Sequence, residues 1–113
     1  MASKYYTSAL TKVAGTSTQF TADIFLADAA NVGEYMVELV VDGNPQPGVN
    51  YSYTAADVSG FSTAAYLGVA GMSIDGGTFA AGGTLIGTVT VSFSVVPSDP
   101  FKLAVLSANL GDV

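Results

Sequence analysis

The chain has no histidine, cysteine, tryptophan or arginine, and its only cationic side chains are Lys4, Lys12 and Lys102. Each absence removes a class of chemistry. Histidine is the side chain whose unperturbed pKa lies near neutrality. Cysteine supplies the reactive thiolate and the soft metal ligand. Arginine supplies the rigid fork that grips carboxylate and phosphate. Serine and threonine abound, but a hydroxyl nucleophile needs a base, and none of the three lysines sits in a recognisable Ser–Lys pattern. The expectation is therefore a protein with no catalytic residues, cofactor or metal site. No apolar run approaches the ~20 residues that a membrane-spanning helix needs. Without cysteine there is no disulfide, which fits a reducing compartment or an extracellular fold that needs no staples.

What is present describes a folded module. A chain of 113 residues is expected to form one domain. Half of the residues are hydrophobic and 11% are charged, where about 25% is usual, so disorder by charge repulsion is excluded. Much of the exterior falls to Thr, Ser, Gly, Ala and Tyr, a composition that favours a surface covered by neighbours and hence a homo-oligomer. The formal net charge of −6 opposes binding to nucleic acid and to anionic membranes. Lys4 is not followed by an apolar stretch of the secretory type, which points to synthesis and retention in the cytosol or release by another route.

Apolar residues recur with a period of two, the signature of half-buried strands. Phe20, Ala22, Ile24 and Leu26 share one phase, and turn residues follow over 28–33. Tyr35, Val37, Leu39 and Val41 form the next apolar phase, with Glu34, Met36, Glu38, Val40 and Asp42 opposite. Two prolines within 42–48 exclude a central strand there. Val49, Tyr51 and Tyr53 alternate with polar residues, and 54–57 reads as a short capped helical turn. The pairs Gly76, Gly77 and Gly82, Gly83 bracket a tight hairpin or loop. Leu85, Gly87, Val89, Val91, Phe93 and Val95 form one phase of the clearest strand, with Ile86 and Thr88 on the other. Phe101, Leu103 and Val105 belong to a last strand, closed by turn residues at 109–112. Short strands between Gly/Pro turns predict an all-β fold, an antiparallel β-sandwich or small barrel.

The carboxylates were weighed as a site. Glu34, Glu38 and Asp42 stand ~13 Å from neighbour to neighbour along one strand, too far apart for a glycosidase acid pair by themselves, and they read as a solvated face. The Asp42 and Asp75 turns lack the further ligands of a calcium loop and read as plain turns. The glycine pairs lack the Lys-Ser/Thr tail of a phosphate loop. Tyr5, Tyr6, Tyr51 and Tyr53 suit interfaces or core packing.

Residues 1–17 alternate weakly, break at Gly15 and carry two of the three lysines, so they read as an extended N-terminal arm before a single β domain over 18–113. Lys4, Tyr5, Tyr6, Leu10 and Lys12 are its candidate partner-binding residues. The unsignalled start, lack of cysteine, acidic balance, small all-β body and Thr/Ser/Ala/Gly-rich exterior together resemble the capsid decoration (cement) proteins of bacteriophages. The resemblance implies a virion structural protein assembled in the host cytoplasm. It would sit on the outer capsid surface as a dimer or trimer and bridge neighbouring copies of the capsid protein. Two other classes remain open on the residues alone: a ligand- or glycan-binding sandwich of a fibre or adhesin, and a tail-tube or filament subunit joined by strand addition.

Overall fold

The computed structural model describes residues 4–42, 48–98 and 100–113. It contains nine strands and, among these residues, no helix. They are β1 (Tyr5–Thr7), β2 (Thr11–Lys12), β3 (Gln19–Leu26), β4 (Ala29–Asp42), β5 (Val49–Ala55), β6 (Ser62–Ala65), β7 (Val69–Phe79), β8 (Thr84–Phe93) and β9 (Lys102–Asp112). Two antiparallel sheets pack face to face as a sandwich. Sheet A has the order β1-β3-β8-β5, with β2 also on β3, and sheet B the order β6-β7-β4-β9.

The inner phases follow the alternation. Ala22, Ile24 and Leu26 from β3 and Val89, Val91 and Phe93 from β8 meet Tyr35, Val37, Leu39 and Val41 from β4, all buried. Each fully buried Val, Leu or Ile contributes roughly 1.5–3 kcal/mol relative to exposure. Phe93 packs edge-on against Phe20 and Phe101, with ring centroids 5.8 and 4.9 Å away, and so closes one end of the core. Tyr35, Phe61 and Phe79 form a second ring cluster at 5.4–5.8 Å. Tyr35 faces Gly71 across the β4–β7 ladder, and its ring occupies the space that a Cβ at Gly71 would need.

Several expectations need correction. Of the expected arm over 1–17, the described residues 4–17 do not stand apart as an extended segment. Tyr5 to Thr7 and Thr11 to Lys12 pair with β3, and β2 turns back into β3 through Gly15 at φ 81°. The boundary expected at residue 18 therefore falls inside a hairpin. The strands are two and three residues long, too short to display a period. In β8, Ile24 faces Gly87 while Phe25 faces Leu85, which makes Ile86 an extra, bulged residue. The bulge turns Ile86 into the core and leaves Leu85 at the surface, reversing the expected phase. Val95 lies beyond the end of β8 and is exposed. β5 runs on through Ala55, and Ala56 N–H bonds to Ile86 O at 3.0 Å, so strand pairing replaces the expected helical turn. β4 begins at Ala29, inside the expected turn, because Asp28 and Asn31 absorb the reversal and a bulge at positive φ. β7 continues through Gly76 and Gly77, and the hairpin turn sits at Ala80 to Gly83. Finally, β9 stays in strand conformation through Asp112.

Candidate interaction face

The sandwich presents two unlike outer faces. On sheet A, alternation sends Gln19, Thr21 and Asp23 of β3 outward. Register aligns them with Ser92, Thr90 and Thr88 of β8 and then with Asn50, Ser52 and Thr54 of β5. The result is a field of hydroxyls and amides with one charge, suited to water, which gives way at the β1 end to Tyr6, Phe25 and Leu85. Thr21 ties into it by donating to Val89 O at 3.1 Å.

On sheet B, the outward phase of β4 is Glu34, Met36, Glu38, Val40 and Asp42. Glu34 lies opposite Met72 and Met36 opposite Ala70 on β7. On the other flank stand Gly111, Asn109, Ser107, Ala104 and Lys102 of β9. Asn109 Nδ2 donates to Glu34 Oε1 at 3.0 Å. This face leaves Met72, Leu67 and Leu106 60–66% exposed and Tyr66 85% exposed. Tyr66 and Leu67 form the tip of the β6–β7 hairpin, closed by Tyr66 N–H to Gly68 O at 3.0 Å. Leu106 is a bulged residue, since Glu38 pairs with Ser107 while Leu39 pairs with Val105. Ile74 is 93% exposed on an excursion of β7 that has no counterpart in β4. Contiguous exposed apolar surface with a polar rim marks an interaction site.

Three tyrosines tie the sheets together. Tyr5 is 6% exposed. Its phenol oxygen accepts from Met36 N–H at 3.0 Å and donates to Asn109 O at 2.6 Å, bridging β4 and β9. Tyr53 accepts from Leu39 N–H at 2.8 Å and Tyr51 from Val41 N–H at 2.8 Å, where β7 no longer covers the edge of β4. Burial pushes the Tyr5 phenol from its ordinary 10.0 up to about 12, aided by nearby Tyr35 and opposed by the Met36 bond. Burial also pushes Tyr35 up to about 12, and its Oη has no hydrogen-bond partner among the described residues. Tyr53 is likewise raised, first by burial, against the Leu39 bond and together with the charge of Glu38 and nearby Tyr51.

The residues expected to bind a partner therefore divide. Tyr5 is core. Lys4 Nζ donates to Asp28 O, and Leu10 packs against the core cluster. Tyr6 lies outward, stacked on Phe25 with centroids 5.1 Å apart, and donates to Gly82 O at 3.0 Å. Lys12 is exposed on β2. These five belong to the edge of sheet A, away from the apolar face of sheet B. Of the two Asp turns, Asp75 lies in the β7 excursion, while Gly43 and Asn44 after Asp42 fall outside the described residues. Among the described residues, no three acidic side chains converge as metal ligands would.

The signal for the sheet B face was present in the alternation of β4. Tyr66 and Leu67 carry no Pro, Asn or Asp to mark a turn, so nothing in the Ala/Gly-rich stretch around them announces a hairpin tip. Comparison with protein-family models, curated proteins and solved structures found no match.

Proposed function

We propose that this protein is a non-enzymatic virion component that decorates and cements a bacteriophage capsid, docking through the outer face of sheet B. The observation that carries this reading is the contrast between the two faces. A decorating protein needs one surface that prefers protein and another that stays in water. The exposed Met72, Tyr66, Leu67 and Leu106, 60–85% exposed, suit the first role, and sheet A, whose outer apolar residues Tyr6 and Leu85 are 43% and 39% exposed beside a field of hydroxyls, suits the second. On a repeating lattice, modest contacts from each copy reinforce one another when copies are joined or bridge subunits.

The test is co-sedimentation of the purified protein with capsids of the encoding phage. Saturable binding at a fixed number of copies per capsid is expected. Failure to bind capsids, together with selective retention on a glycan array, would replace this reading with that of a glycan-binding sandwich.

A further inference from the structure

A cleft whose shape and charge specify an occupant runs from the outer face of sheet B over the open edge of β4 toward β5. β7 leaves β4 at the Val37–Val69 pair, whereas β4 continues to Asp42 beside β9. Beyond that point lie two open hollows of about 270 and 330 Å3, both lined by Glu38, Tyr66 and Leu67. The first runs from Val40 and Leu106 over the open edge of β4 onto Val49, Tyr51 and Tyr53 of β5, and the second extends to Met36. Among the described residues, Glu38 is the one charged residue lining either hollow, and no lysine lines them. Lys4 is engaged with Asp28 O, Lys12 lies on β2 in sheet A, and Lys102 lies opposite Asp42.

We propose that this cleft seats an extended segment of a partner protein, with a lysine or arginine over Glu38 and an apolar residue two positions away on each side. The inference rests on sheet B being the docking face and names the chemistry of what docks there. In an extended chain, side chains at i and i±2 share a face ~6.6–6.8 Å apart. That spacing sets one cation above the carboxylate and drops its apolar neighbours into the two flanking hollows. A formal charge of −6 draws a basic partner toward the site.

The probes are the capped heptapeptide TLTKTLT, its acidic counterpart TLTETLT, and TLKTTLT, which moves the lysine to the opposite face. Binding is read by amide chemical shifts of the isotope-labelled full chain and by titration calorimetry. TLTKTLT is expected to shift the Glu38, Tyr66 and Leu67 resonances and to bind at least tenfold more tightly than either control. Glu38→Lys should reverse the preference toward TLTETLT. Glu38→Gln, which removes the charge at nearly constant shape, should abolish the preference. Equal binding of the three peptides, absence of binding, or shifts confined to sheet A would overturn the proposal. Loss of capsid binding in Leu67→Asp without any peptide preference would overturn the cleft and leave the docking face standing. Undiminished capsid binding in Leu67→Asp would overturn the docking face itself.

Discussion

Tyr5 belongs to an edge strand of sheet A, yet its phenol oxygen sits between β4 and β9 of sheet B, bonded to Met36 N–H and Asn109 O. Replacing it with Phe keeps the ring and strips both part-buried backbone groups of their partner. Leaving such groups unsatisfied costs about 1–3 kcal/mol, which should appear as a lower urea midpoint at unchanged slope. The same phenol sets an alkaline limit. Its folded pKa of about 12 lies above the ordinary 10.0, so the folded state holds the proton more tightly than the unfolded chain. Its stabilising contribution is therefore complete below pH 10 and lost as pH rises toward 12. Tyr35, also held at about 12, adds in the same direction. Urea titrations from pH 8 to 11.5 should show stability falling above pH 10, with a shallower fall in Tyr5→Phe. In the aromatic core, Phe93 is 4% exposed and touches Phe20 and Phe101. Phe93→Ala should cost roughly 3–5 kcal/mol by equilibrium unfolding.

Among elements, the long strands were legible and the irregular ones were not. β3, β4 and the later part of β8 each have one face on the core, which imposes a period of two that Ile24, Val37 and Val91 display. Bulges defeat that reading, because one extra residue moves every later side chain to the other face. Ile86 and Leu106 are both such residues, and nothing in their identity announces it. The Leu106 bulge also interrupts β9, an edge strand whose open backbone would otherwise invite pairing with other chains. The N-terminal strands escaped notice for a different reason: what fixes them is long-range, the register of Tyr5 with Leu26 and its bonds to residues far along the chain. A variant lacking residues 1–12 removes the buried Tyr5 ring and leaves the edge of β3 uncovered. It should be destabilised by several kcal/mol, on the scale of losing a buried aromatic, and a thermal melt should show a large drop in midpoint. An unchanged midpoint would restore the arm.

At the scale of the whole molecule, the sandwich is a core with two exteriors of different chemistry. Half of the candidate site was visible in the sequence, since the alternation of Met36, Glu38 and Val40 with Val37 and Leu39 already placed an apolar and acidic stripe outside. The other half comes from topology. The early end of β7 leaves room beside β4, and the hairpin tip brings Tyr66 and Leu67 to that gap. Tyr51 and Tyr53, which suit interfaces or core packing by sequence, turn inward and give their phenols to the backbone that β7 leaves uncovered.

The central claim is that the outer face of sheet B docks and that of sheet A stays in water. The most direct measurement compares capsid co-sedimentation of Leu67→Asp on sheet B with that of Thr90→Asp on sheet A, both first shown to be folded by thermal melt. The account predicts that Leu67→Asp loses at least tenfold in capsid affinity while Thr90→Asp binds as the parent does. Loss in Thr90→Asp with full binding by Leu67→Asp would contradict it.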